Sequence, residues 1–216
     1  MRLSDAETID TFKATDTKIE PIRIGLIADT HISKDAKMLP PHVKEAFKDV
    51  DLILHAGDIN LPGVLDELET IAPVRAARGN EDWEIPEDHR LKDDHVLHIA
   101  GLNLWLTHAG YYPELPESLF HEKMEREFGN RIDIIVFGDT HVATVERFKG
   151  ILVVNPGSPT VPNGLFELGS VGILEIMGNM PKARIVQLSD FPIPFHRKLF
   201  YYVDRGTEDY LDTGYS

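Results

Sequence analysis

A chain of 216 residues, 42% hydrophobic and 27% charged, is long enough for one domain with a sizeable core and has ordinary globular composition. Its 36 acidic residues outnumber 22 basic ones, a net charge of −14, which argues against a nucleic-acid surface and against binding to an anionic membrane. There is no cysteine, which excludes disulfides, thiolate chemistry and cysteine-based zinc sites.

Residues 1–21 are polar and rich in Thr and Asp, and read as an extension. They hold no apolar core of the kind a secretory signal needs, and no run in the chain approaches the ~20 apolar residues that span a bilayer. The expected location is therefore the cytoplasm. "IRIGLIAD" (22–29) is a continuous apolar run ended by a polar loop, the mark of a strand buried on both faces. Val43, Ala46, Phe47 and Val50 then fall at i, i+3, i+4 and i+7, predicting an amphipathic helix after Pro40-Pro41. "DLILHAGD" (51–58) repeats the strand-and-loop pattern. Val64, Leu65, Leu68 and Ile71 predict a second helix, and "PVRAARGNED" (73–82) a short third strand.

Residues 95–110 read as two antiparallel strands about a turn near Gly101. A helix follows, with Phe120, Met124 and Phe128 on one face and Gly129 as its C′ residue. "RIDIIVFGDTH" is another buried strand and loop, and four short strands follow at close spacing within 143–188. The order βαβαβ, then ββαβ, then strands predicts an α/β fold with two sheets and helices outside. The expected organisation is an extension (1–21), a domain (22–189) and an aromatic tail (190–216) docked on that domain.

Ligands in open α/β sheets bind at the carboxyl ends of strands. Those ends carry Asp29 and His31 in "DTH", Asp58 in "AGD", Asn80, Glu81 and Asp82 in "RGNED", His108 in "THAG", and Asp139 and His141 in "GDTH". In an extended segment residues i and i+2 point the same way, so each Asp-x-His pair can aim both side chains at one place. These oxygen and nitrogen donors suit Mn2+, Fe2+, Zn2+ or Ni2+. Seven candidate ligands exceed the needs of one ion, whereas two ions about 3.5–4 Å apart sharing a carboxylate use them all. Each segment alone also has an ordinary reading: Asp-x-His as a loop cap plus a surface histidine, Gly-Asp and Gly-Asn as turn chemistry, His108 as a hydrogen-bonded core histidine. Their joint order at five strand ends favours the metal reading. His55, just ahead of "AGD", reads as packing, with support of the ligand loops as the alternative, and His42, His89, His95, His98, His121 and His196 read as surface or structural.

The set "DTH", "GD", "GNED", a lone "H" and "GDTH" resembles the signature of the calcineurin-like metallophosphoesterase superfamily, over roughly residues 22–188. "RGN" and "NPGS" (155–158) most resemble its compact bacterial and archaeal phosphodiesterase branch. The resemblance implies a four-layer α-β-β-α sandwich of two mixed sheets flanked by helices. It also implies hydrolysis of a small phosphoester by a hydroxide bridging two divalent ions, Mn2+ first among the candidates. Carried over by position, the first ion takes Asp29, His31, Asp58 and His141; the second shares Asp58 and takes Asn80, His108 and Asp139. Asn80 can also polarise a phosphate oxygen, and Arg78 is a candidate phosphate contact or a residue packed on the sheet. "NPGS" reads as a turn, with a Ser158 contact to substrate as the alternative.

Two departures from the family pattern stand out. Asp139 replaces the usual His, which favours Mn2+ or Fe2+ over Zn2+. Glu81 replaces the His that many members use to protonate the leaving group, a residue the compact branch often lacks. Glu81 can act as the acid only if neighbours such as Asp82 raise its pKa. Three readings follow: a phosphodiesterase, a phosphomonoesterase or nucleotidase, and a scaffold that keeps the fold for protein contacts, as a retromer component of the superfamily does. Specificity is expected from residues 83–94 and 111–117, and the aromatic tail and strand edges make a homo-oligomer a further expectation.

Overall fold

The computed structural model describes residues 21–32, 38–109, 117–129, 131–165 and 167–193, together with the backbone of residues 7–8, 14–15 and 18–19. The elements in chain order are β1 (Glu7–Thr8), β2 (Ala14–Thr15), β3 (Lys18–Ile19), β4 (Ile22–Ile27), α1 (Pro41–Phe47), β5 (Leu52–His55), α2 (Pro62–Glu69), β6 (Val74–Ala77), β7 (Leu91–Lys92), β8 (His95–Ile99), β9 (Leu102–Leu106), α3 (Glu117–Phe128), β10 (Ile134–Val136), β11 (Thr144–Phe148), β12 (Ile151–Asn155), β13 (Ser170–Met177) and β14 (Met180–Gln187).

Two six-stranded sheets result, in the orders β14-β13-β4-β5-β6-β7 and β1-β8-β9-β10-β12-β11, beside a β2-β3 hairpin. In the first sheet β4, β5, β6 and β7 run parallel, with β13 antiparallel to β4. In the second, β10 is parallel to both β9 and β12. Both sheets are mixed, as expected. The β8–β9 turn has positive φ at Ala100 (48) and Gly101 (79), the primed form that suits strand twist.

Three apolar interfaces establish the layering. Alternate residues of both sheets, among them Leu26, Leu54, Leu104, Val136, Val154 and Leu174, bury one core between the sheets. The opposite faces bury Phe47, Ile53, Leu65, Leu68 and Ile173 under α1 and α2, and Trp105, Met124, Phe128, Ile135 and Val153 under α3. Helices outside two face-packed sheets make four layers, because a sheet apolar on both faces must be covered on both. Both faces of β5 and β10 are buried, which is why those segments read as unbroken apolar runs.

The tail begins docked: Phe191 packs against the α1–α2 core, and the carbonyl of Ile193 accepts a hydrogen bond from His42 Nε2 at 2.9 Å. The rest of the tail, with His196, lies outside the described residues, as do residues 111–116 and most of the N-terminal extension. No helix among the described residues is long and apolar enough to cross a membrane.

Candidate metal centre

The carboxyl ends of β4, β5, β6, β9 and β10 meet at one edge where the two sheets abut. Backbone contacts stitch their loops together: Asp29 N donates to Gly57 O at 2.9 Å, His31 N to Asp58 O at 3.1 Å and Gly138 N to His108 O at 2.9 Å. The sheets are joined by His108 Nδ1, 2.8 Å from Ala56 O, and by Asp139 N, which donates to Asp29 Oδ1 at 3.0 Å. Two glycines permit this crowding. A Cβ on Gly79 would collide with Asp58 Oδ1 and N, and one on Gly138 would stand 2.6 Å from Ala56 O and 2.9 Å from Asp29 Oδ2.

The Asp-Thr-His segments are not extended, contrary to the expectation. Asp29 and His31 have φ of 52 and 41, and Asp139 and His141 have φ of 67 and 58. Asp58 (54) and Asn60 (66) share this left-handed conformation, so six of the nine described non-glycine residues with positive φ stand at this edge. Each costs on the order of 1–2 kcal/mol and persists only where surroundings enforce it. The enforcing groups are side chains beneath the loops. Ser158 Oγ donates to Asp29 O at 2.7 Å, Thr160 Oγ1 to Thr30 O at 2.6 Å, and Asn155 Nδ2 to Gly138 O at 2.7 Å.

All seven candidate ligands converge. His31 Nε2 lies 3.0 Å from His141 Nε2 and 3.7 Å from Asp58 Oδ2, and His141 Nε2 lies 3.8 Å from Asp29 Oδ1. On the other side, His108 Nε2 lies 3.0 Å from Asn80 Oδ1, 3.5 Å from Asp58 Oδ2 and 3.7 Å from Asp139 Oδ1. The two groups have one atom in common, Asp58 Oδ2. The partner oxygen, Asp58 Oδ1, is held at 2.9 Å by the amide of Glu81.

Three observations show that these residues fit a cation. First, each histidine has an acceptor for Nδ1: Glu81 Oε2 for His31 at 3.0 Å, Ala56 O for His108 at 2.8 Å and Val161 O for His141 at 2.8 Å. The network thus assigns the hydrogen to Nδ1 and turns three Nε2 lone pairs inward, where His31 and His141 face each other with nothing else to share. Second, Asp29 Oδ2 is buried with no hydrogen-bond partner among the described residues. Burial foremost, with the carboxylates of Asp58 and Asp139 adding and the Asp139 amide opposing, pushes the Asp29 pKa up to about 8. Third, all ion pairs of Asp29, Asp58 and Asp139 with described residues are to histidine, never to Lys or Arg. The donors are oxygen and nitrogen only, which suits hard-to-borderline divalent ions.

Three sequence candidates take different places. Asp82 is fully buried, and its carboxylate accepts from the amides of Ile59 (2.8 Å), Asn60 (2.9 Å) and Gly79 (2.8 Å). With both oxygens committed to backbone it shapes the β5 and β6 loops and is not free to act on a substrate. Arg78 Nη1 donates to the carbonyls of Asp82 at 2.6 Å and Ile85 at 3.3 Å, bracing the same loop. Glu81 does not meet the condition for a general acid. Burial alone would raise its pKa, but hydrogen bonds from Asn60 and His31 bring it below the ordinary value.

A supporting shell lies beneath these donors, of which sequence reasoning had singled out only His55 and the "NPGS" turn. His55 is buried under the loops, accepting from Gly57 N on Nδ1 and bonded to Thr30 Oγ1 through Nε2, each at 3.2 Å. Burial holds its pKa down to about 3, so it is a neutral positioning group. Asn60, Asn155, Ser158 and Thr160 belong to the same shell. "NPGSPT" follows β12 at this same edge, where the strand-end rule, extended to one more strand, adds Thr160 to the Ser158 already singled out in "NPGS". Ser158 is turned toward the Asp29 carbonyl, which answers the turn-or-substrate question in favour of structure.

A family model for the calcineurin-like phosphoesterase superfamily domain matches residues 22–179. A probable metallophosphoesterase of Methanothermobacter thermautotrophicus is 36% identical over 168 residues, spanning 76% of this chain and 91% of that protein. A solved structure of an archaeal phosphodiesterase is 25% identical with a TM-score of 0.55, covering 76% of this chain and 99% of that one. The structure of vacuolar protein sorting 29 from Cryptosporidium parvum, 22% identical with a TM-score of 0.59 over 78% of this chain and 98% of that one, shares the fold.

Proposed function

The chain belongs to the calcineurin-like phosphoesterase superfamily and is a metal-dependent phosphoric ester hydrolase, and from that premise we propose that it is a phosphodiesterase working with two divalent ions. The observation that carries this reading is the common position of Asp58 Oδ2, 3.7 Å from His31 Nε2 and 3.5 Å from His108 Nε2. One carboxylate oxygen between two groups of inward-facing donors is what a bridged pair of ions needs. In this reading Asp29, His31, Asp58 and His141 hold the first ion, and Asp58, Asn80, His108 and Asp139 the second. Such ions, when bound, acidify water and offset charge on the phosphoryl oxygens. The carboxylate of Asp139 adds a hard donor, which makes Mn2+ the first choice and Fe2+ the next, ahead of Zn2+ or Ni2+.

The chain's own residues define the rest. Asn80 can present its amide N–H to a phosphoryl oxygen while its carbonyl faces the second ion. The loops held by Asp82 and Ser158 fix the donors before substrate arrives, so little reorganisation accompanies the reaction. Glu81 keeps its proton off and accepts hydrogen bonds, so a strong general acid is missing from the position where many relatives have one. Esters whose leaving groups depart without protonation are favoured, and an activated aryl phosphodiester is the natural assay substrate. The likeness to a solved archaeal phosphodiesterase supports diester over monoester.

The test is hydrolysis of bis(p-nitrophenyl) phosphate and of p-nitrophenyl phosphate by chelator-stripped protein with and without Mn2+, beside Asp58→Ala. Mn2+-dependent diester turnover above monoester turnover, absent in the variant, is expected. Faster monoester cleavage makes the protein a phosphomonoesterase, and no metal-dependent turnover of either substrate overturns the diesterase reading and favours the scaffold.

A further inference from the structure

We propose that Glu81 is a positioning residue that sets the affinity of the first ion by holding His31. The inference rests on the two-metal reading above. The three inward-facing histidines differ in what holds their outer nitrogen. His108 and His141 lean on backbone carbonyls, Ala56 O and Val161 O, each at 2.8 Å. His31 alone leans on a side chain, Glu81 Oε2 at 3.0 Å, and that side chain is 48% exposed.

The same oxygen accepts a second hydrogen bond, from Asn60 Nδ2 at 3.0 Å. Asn60 is itself fixed: its amide bonds to the buried Asp82 Oδ1 at 2.9 Å, and its φ of 66 is a conformation that Asn tolerates. Glu81 is thus held from two sides. Through its backbone it holds a further donor as well, since Glu81 N donates to Asp58 Oδ1 at 2.9 Å and leaves Oδ2 free. One residue therefore orients two donors of the first ion, His31 by its side chain and Asp58 by its main chain. A carboxylate on the outer nitrogen fixes the tautomer and raises the basicity of the inner one, effects that outer partners exert at roughly 10–100-fold in metal affinity. A backbone carbonyl is neutral and cannot be varied by substitution. Among the described partners of these three outer nitrogens, Glu81 is the one whose identity the sequence can change, which makes it the lever on this ion.

The test is isothermal titration of metal-free wild type, Glu81→Gln, Glu81→Ala and Asn60→Ala with Mn2+, with visible absorption of the Co2+-loaded forms as the reading of ligand geometry. Wild type should take up two ions. Glu81→Ala should still bind two, with one dissociation constant raised about 10–100-fold, the other within about twofold, and an altered Co2+ spectrum. Glu81→Gln should recover part of the loss, because its amide oxygen still accepts the His31 hydrogen, and Asn60→Ala should weaken the same ion by less. If Glu81→Ala binds both ions as tightly as wild type, or weakens both equally, the inference fails while the two-metal reading stands. If it loses one ion altogether, Glu81 is itself a ligand and the positioning role is wrong. Wild type that takes up no metal overturns the underlying reading, and this inference with it.

Discussion

Two carboxylate clusters in this protein are built from the same chemistry and end in opposite states. In one, Arg90 is buried amid Asp66 and Glu69 of α2 and Asp88 of its own loop, with contacts of 2.7, 2.7 and 2.6 Å. Hydrogen bonds from Arg90 foremost hold the Asp88 pKa down to about 2, and those carboxylates in turn raise that of Arg90. In the other, Asp29, Asp58 and Asp139 face histidines and each other, and the Asp29 pKa is pushed up to about 8. The first cluster carries its cation in its own sequence. The second is assembled at greater conformational cost, with six left-handed residues, and its positive charge has to come from elsewhere. Gathering acidic groups does not by itself make a candidate metal site; what distinguishes the second cluster is that its carboxylates gather around inward-facing imidazoles with no guanidinium or ammonium among their described ion pairs.

Removing the shared atom should break the comparison hardest. Asp58→Ala is expected to lower Mn2+-dependent hydrolysis by more than about 100-fold, since losing a ligand exceeds the 10–100-fold cost of losing its outer partner. Steady-state rates on the aryl diester check this. Arg90→Met should show the converse, costing about 2 kcal/mol of stability, between the values for exposed and fully buried pairs. That is a Tm lower by roughly 4–8 °C with metal uptake unchanged, readable by calorimetry on the metal-loaded protein.

The clusters should also answer pH in opposite directions. Asp88 has a folded pKa below its ordinary 3.8, so its contribution is present above that value and lost as pH falls toward about 2. Asp29 in metal-free protein has a folded pKa above 3.8, so its contribution is present below that value and lost as pH rises through about 8. Urea unfolding of metal-free protein should therefore show stability falling between pH 5 and pH 8. Asp29→Asn should flatten that slope, and a slope unchanged by the substitution would assign it to other groups. The smallest effect is expected at Asp139, whose side chain is 51% exposed. Asp139→His should shift preference from Mn2+ toward Zn2+ by several-fold, measured by competitive metal binding, without loss of the fold.

The contrast also explains what could be read from the amino-acid sequence. The metal candidates stand at strand ends, and a buried strand followed by a polar loop is a local pattern; that is why Asp29, Asp58, His108 and His141 could be named together. Two sheets with helices outside followed from the order of those elements, and the four layers from the family resemblance. Arg90 was silent because its partners are placed by the path of residues 83–94, which no periodicity encodes. The roles of Asp82, Arg78 and Ser158 were left open for a related reason. Each is polar and adjacent to the site, and only the fold shows that its hydrogen bonds go inward to backbone. Glu81 is the intermediate case: its place beside Asn80 was evident, but whether it donates or accepts depended on Asn60 and His31, brought to it from two other loops.

The central claim is tested most directly by titrating metal-free protein with Mn2+ while following hydrolysis of bis(p-nitrophenyl) phosphate. Activity should rise until two ions are bound per chain and then level off. Full activity at one ion per chain, or turnover indifferent to Mn2+, would contradict a bridged centre around Asp58.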